Sequence, residues 1–183
     1  MAHSTAQLAL GSKAHNFALL DTISDRLVSL NDVVSPKATV IMFICNHCPY
    51  VQHILEGLID TASRYKQLGV SFVAINANDA DQYPQDGPER MKELAQELQF
   101  PFPYLYDQTQ QVARHYHAEC TPEFFVYDGN MRLAYHGQFD DSRPKNGQPV
   151  TGHDLSEALD ALLEGNPVPQ DQKPSVGCGI KWR

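Results

Sequence analysis

Thr39-Val40-Ile41-Met42-Phe43-Ile44-Cys45-Asn46-His47-Cys48-Pro49 is the stretch that decides the fold. Residues 39–44 form an apolar, β-branched run without polar alternation, the pattern of a strand buried on both faces. Beyond it, Val51, Ile54, Leu55, Leu58, Ile59, Ala62, Tyr65 and Leu68 recur at helical spacing,. Gly69 is well placed to end that helix,. Val70 to Asn76 reads as a second buried strand. Strand, helix, strand in that order implies a right-handed crossover and a parallel pair. Two cysteines separated by two residues therefore stand where a sheet ends and a helix begins, the edge at which such folds place their chemistry.

That position makes Cys45 and Cys48 the candidate redox pair. Only a thiolate attacks a disulfide, and an unperturbed thiol is only about 3 % ionised at pH 7. A helix starting just after Asn46 would aim its N–H groups and dipole at the Cys45 sulfur. A protonated His47 would add a positive charge. A pKa lowered by two units, worth about 2.7 kcal/mol, would make the thiolate the majority form. The expectation is that Cys45 attacks, Cys48 resolves and His47 tunes the pKa. Pro49 lacks an N–H, which costs little at a helix start.

Working outward, Asn16 to Leu20 and Arg26 to Leu30 flank a turn-rich segment and predict a hairpin. Asn78 to Gly87 is polar and reads as an exposed, solvated loop. Pro88 suits the first turn of a helix running to about Gln99. Tyr104 to Tyr106 is a short strand and Gln108 to His115 a short helix. Glu123 to Tyr127 and Arg132 to His136 predict a second hairpin across Asp128-Gly129-Asn130. Thr151 and Asp154 have capping-box spacing ahead of the stripe Leu155, Ala158, Leu159, Leu162 and Leu163, which Gly165 ends,. The order is a mixed sheet flanked by helices. Residues 1–12 read as a flexible lead-in, 13–165 as one domain, and 166–183 as an extended Pro/Gly-rich tail on the surface.

Composition narrows the classes. The chain has 183 residues and a formal net charge of −8. That balance disfavours nucleic acid, which demands clustered Lys and Arg, and it disfavours anionic membranes. No apolar run approaches the roughly 18–20 residues of a membrane span. Met1 to Lys13 lacks a basic n-region and an apolar h-region, so a cytoplasmic location is expected. Four cysteines in such a setting point to redox or metal chemistry ahead of a structural disulfide framework,.

The CNHC run, its flanking strand and helix, and Cys120-Thr121-Pro122-Glu123 opening the late hairpin together resemble the thioredoxin superfamily. The resemblance covers about residues 11–165 and is closest to the redoxin, or peroxiredoxin-like (AhpC/TSA-like), branch. It implies an α/β thioredoxin fold, here with an N-terminal β-hairpin extension. It implies a cis bond before Pro122, facing the cysteines, with Thr121 and Pro122 presenting the substrate. Tail residues Pro174 to Trp182 are also similar to the peroxiredoxin-like branch. The chain departs from thioredoxin at Ile44, where a Trp is usual, and at Thr39, where a buried acid is usual, so Cys48 needs another base. His47 sits where oxidising DsbA-type proteins place a histidine, which implies a more oxidising couple. Peroxiredoxins use Pro-x-x-x-Thr-x-x-Cys. With Cys48 in the last place, Ile41 and Cys45 stand at the Pro and Thr positions, and only Arg114 or Arg143 is at hand for the family's arginine.

The expected function is thiol–disulfide oxidoreductase, with a protein or small-molecule thiol or disulfide as substrate, a separate reductant and no cofactor. Thiol peroxidase is the alternative within the fold. A redox sensor, or a zinc module using Cys48 with His53 or the His115–His117 pair, is the non-enzymatic alternative. Cys120 and Cys178 are possible accessory thiols, each also readable as a packing residue. His3, His15, His115, His117, His136 and His153 read as surface or satisfied histidines, and Tyr83, Tyr104 and Tyr106 as packing.

Overall fold

The computed structural model describes residues 8–183. Two short strands, β1 (Ala18–Asp21) and β2 (Leu27–Ser29), form the expected first hairpin, followed by the one-turn helix α1 (Leu30–Val33). Then come β3 (Ala38–Phe43), α2 (Pro49–Gln67), β4 (Val70–Asn76), α3 (Pro88–Glu97), β5 (Tyr104–Tyr106) and α4 (Gln111–His115). The chain finishes with β6 (Cys120–Thr121), β7 (Glu123–Asp128), β8 (Leu133–Gly137), α5 (His153–Leu163) and β9 (Cys178–Gly179).

Seven strands form one sheet in the order β2-β1-β5-β4-β3-β7-β8. β3 runs parallel to β4 and antiparallel to β7, with β4 parallel to β5. The sheet is therefore mixed, with the cysteine-bearing strand at its centre. Every residue of β3 is buried, which is why its sequence shows no alternation. Val40, Met42 and Ile44 enter one core with α2, α3 and α5. Ile41 and Phe43 enter the other with α1 and α4. Gly69, at φ +94, closes α2 in a backbone region that other residues resist,.

Several expectations are corrected. α2 begins at Pro49 with Cys48 as its N-cap residue, not just after Asn46. α4 begins at Gln111, because Gln110 stands at φ +65. The Thr151–Asp154 capping box does not form. Gly152 is the N-cap of α5, and the Asp140 carboxylate accepts the N–H groups of Thr151 and Gly152 at 2.7 and 2.8 Å. The Asp154 carboxylate turns to the Gln138 amide instead.

The 78–87 loop is exposed only in part: Asp81, Gln82, Pro84 and Gln85 face solvent, whereas Asn78, Asp79 and Asp86 are buried. The lead-in expectation falls partly on residues 1–7, outside the described residues. From Leu8 onward the chain is tied down: Leu8 packs on the second core and the Gly11 N–H bonds the Leu133 carbonyl at 2.7 Å. The tail is extended as expected, but it is not simply laid on the surface. Ile180 is buried in the second core, and β9 pairs with β6.

Candidate redox site

The hydrogen bond from the Ile44 N–H to the Ile75 carbonyl, 3.1 Å, carries the β3–β4 ladder to the doorstep of Cys45. The chain then turns and α2 starts, with the Gln52 N–H closing the first turn on the Cys48 carbonyl at 2.9 Å. Both cysteines are buried, at 1 % and 0 % exposure. Across from them the Thr121–Pro122 bond is cis. Thr121 touches both sulfurs: its Oγ1 lies 3.5 Å from Cys45 Sγ, and its carbonyl accepts the Cys48 thiol at 3.3 Å. The chain thus brings together the four residues Cys45, Cys48, Thr121 and Pro122 read from the sequence.

His47 is held differently from expectation. Its Nδ1 meets the Asp86 carboxylate, and its ring stacks on Tyr83 with centroids 5.3 Å apart. Asp86 is fully buried. Its Oδ1 accepts the backbone N–H groups of Asn46 and His47 at 2.8 and 3.2 Å, and its Oδ2 also accepts the Asn78 amide at 3.0 Å. The Asn76 side chain donates to the Asp86 carbonyl, and the Tyr104 hydroxyl donates to Asn46 Oδ1 at 2.9 Å. Asp86 therefore fixes the CNHC turn through its backbone. One of its oxygens, a His47 ring nitrogen and the Cys45 sulfur lie within 4.8 Å of one another.

Sequence reading missed Asp86, Asn78 and Tyr104 as site residues. Polar loop composition was the only visible trace of Asp86, and it pointed toward solvent. With Thr39 in place of an acid on the entering strand, Asp86 supplies the buried carboxylate from the loop after β4.

The two thiols shift in opposite directions, and each is the largest cause of the other's shift. Cys48 is held well below the ordinary thiol range. The Cys45 thiol donating to it is the largest cause, followed by Cys178, the Thr121 side chain and the Val51 N–H of the helix start, against the penalty of burial. Cys45 is pushed well above that range by its bond to Cys48, by burial and by the Asp86 carboxylate. The expected acidic Cys45 rested on a helix end that the structure gives to Cys48, and His47 brings a carboxylate with it. A charge at a helix N-terminus with an N–H directed at it is stabilised, whereas one beside a carboxylate in a buried site is not.

Cys120 and Cys178 stand on the paired strands beside the site. Cys120 is raised by burial first, then by Glu123 and Glu119. The zinc sets considered from the sequence do not assemble: His53 bonds Ser142 Oγ at 2.6 Å, and His115 stacks on His15. His136 stacks on Phe125 and faces the buried Glu123. Arg114 lies over the Trp182 ring, 4.3 Å from its centroid. Arg143 bonds the carbonyls of Asp140 and Ser142.

A buried mixed sheet, a Cys-x-x-Cys pair between strand and helix, and a cis X-Pro bond opposite the sulfurs define a thioredoxin-fold protein. Residues 10–136 match the AhpC/TSA family, and the chain belongs to that family. No curated protein matches the sequence. An uncharacterized conserved protein from Geobacillus kaustophilus is 59 % identical, covering 96 % of this chain and 93 % of its own, with a TM-score of 0.94. A hypothetical protein from Sinorhizobium meliloti 1021 is 45 % identical, covering 97 % of each chain, also at 0.94. The thioredoxin domain of a thiol-disulfide oxidoreductase from Bacteroides vulgatus shares the fold at 17 % identity and a TM-score of 0.63, over 84 % of this chain and 99 % of that one.

Proposed function

We propose that this protein is a thiol–disulfide oxidoreductase whose redox pair is Cys45 and Cys48, acting on a thiol or disulfide substrate and recharged by a separate thiol partner. The observation that carries the reading is the contact of both sulfurs with Thr121, beside cis Pro122, at the start of α2. In the reducing direction the Cys48 thiolate attacks one sulfur of a substrate disulfide. A mixed disulfide forms, and the other substrate sulfur leaves as a thiolate that takes a proton from water. Cys45 then gives its proton to Asp86, directly or through one water. Its thiolate attacks Cys48 Sγ, and the second substrate sulfur leaves as a thiolate that takes up the proton held by Asp86. Two electrons have passed to the substrate and a Cys45–Cys48 disulfide remains. The oxidising direction runs the same steps backward.

The peroxidase alternative draws less support, because Arg114 and Arg143 are engaged elsewhere. Reduction of insulin or oxidised glutathione tests the proposal. Cys48→Ser is expected to abolish turnover and Cys45→Ser to lower it strongly. Undiminished turnover in both variants would overturn it. Reaction with hydrogen peroxide much faster than that of free cysteine would favour the peroxidase instead.

A further inference from the structure

Thr121 is the residue that touches both redox sulfurs, and its strand edge is already taken. β9 pairs antiparallel with β6, placing Cys178 opposite Thr121 and Gly179 opposite Cys120. The approach is close enough that a Cβ on Gly177 would stand 1.9 Å from the Thr121 carbonyl oxygen. Cys178 packs against the core that holds Cys48, and its register partner Thr121 is the residue whose carbonyl meets Cys48 Sγ.

The tail is pinned on both sides of this contact. Before it, the Lys173 carbonyl accepts the Gln138 N–H at 3.0 Å and Ser175 Oγ donates to the Gly137 carbonyl at 2.6 Å. After it, the Ile180 N–H bonds the Glu119 carbonyl at 2.9 Å and the Lys181 N–H bonds Asn78 Oδ1 at 2.9 Å. The other end of that Asn78 amide holds Asp86. One side chain thus ties the tail to the carboxylate beside Cys45.

We propose that β9 is an intramolecular substrate strand and that Cys178 is a third redox thiol, which exchanges disulfide with Cys48. The inference rests on the redox pair proposed above. Once a substrate has left a Cys45–Cys48 disulfide, the Cys178 thiolate attacks Cys48 Sγ. The Cys48–Cys178 bond forms as the Cys45–Cys48 bond breaks. Cys45 leaves as a thiolate and takes up a proton, equal to the one Cys178 lost. No net oxidation occurs in this step; the oxidant is the disulfide substrate already consumed. An outside polypeptide would have to displace β9 to pair with Thr121, whereas a low-molecular-weight disulfide need not, so the latter is the class that fits the closed edge.

The test is disulfide mapping after oxidation of the full chain with oxidised glutathione. Cys48, Cys120 and Cys178 fall in three different tryptic segments, bounded by Lys37 and Arg64, by Arg114 and Arg132, and by Lys145 and Lys181. The wild type is expected to yield both Cys45–Cys48 and Cys48–Cys178 linkages. Cys45→Ser should yield only Cys48–Cys178, and Cys178→Ser only Cys45–Cys48. Cys48 left as a glutathione adduct beside a free Cys178 in Cys45→Ser, or linked to Cys120, overturns the proposal. A wild type carrying Cys45–Cys48 without any Cys48–Cys178 overturns it too, independently of how the variants fold, and leaves the redox pair standing. A wild type without either linkage overturns both.

Discussion

Asp86 Oδ1 accepts the backbone N–H of Asn46 at 2.8 Å, which makes a residue from a distant loop the anchor of the redox turn. The same carboxylate takes the N–H of His47, the His47 ring and the Asn78 amide. The carboxylate itself is fully buried, and a bond left unmade there costs the desolvation of the group,.

Asp86→Asn should therefore be destabilising. An Asn amide nitrogen in place of Oδ2 would face donors, at a cost of about 1–3 kcal/mol. The carboxylate is also among the groups that raise Cys45, after its bond to Cys48 and its burial. Its removal should shift label toward Cys45 when the two thiols compete for limiting iodoacetamide. Urea denaturation and peptide mapping read the two effects. Unchanged stability would contradict the anchoring role.

The two thiols should differ in their pH dependence. Cys48 lies below the ordinary thiol range, chiefly through its bond from Cys45, so its alkylation rate should stay high as pH falls below 7 and drop only near its lowered pKa. Cys45, raised first by that same bond, should react only at strongly alkaline pH. Site-resolved alkylation from acid to alkaline pH measures both. An acidic Cys45 beside an inert Cys48 would restore the order of attack read from the sequence.

Gly177→Ala should weaken the tail. Its Cβ would meet backbone, not a movable side chain, at 1.9 Å. Overpacking of this kind costs about 1–3 kcal/mol. The expected outcome is a lower Tm and faster proteolysis after Lys181, with the seven-stranded sheet retained by circular dichroism.

Glu123 follows cis Pro122 and is raised by burial, against the pull of His136. Between its ordinary value of 4.5 and its higher folded value, the folded state holds more protons than the unfolded one. Stability from this group is present below that window and declines as pH rises through it. Glu123→Gln should flatten this slope while keeping an acceptor for the Glu119 N–H. Chemical denaturation across mildly acidic pH checks the sign, and an unchanged slope would refute it.

The central part of the fold was legible because it depends on local pattern. A continuous apolar run at 39–44 demands burial on both faces, and β3 lies between β4 and β7 with every residue buried. The helical stripe from Val51 to Tyr65 packs as the buried face of α2, while Leu68 falls on its C-cap, half exposed. Cys45 and Cys48 follow from chain order alone, because the strand and the helix are contiguous with them. The cis bond at Pro122 was an implication of resemblance, and the structure has it.

Charge placement was not legible in this way. The sequence by itself determined the mixed α/β sheet and the position of the cysteine pair, since these follow from hydrophobic period and the order of elements. The tertiary structure alone decided which sulfur sits at the helix end. It alone placed Asp86 beneath CNHC in place of the acid absent at Thr39, and folded Cys178 back opposite Thr121. The physical reason is that thiol acidity and carboxylate burial depend on through-space neighbours within a few ångströms. Those neighbours come from a loop and a tail whose polar composition, read one residue after another, describes only solvent.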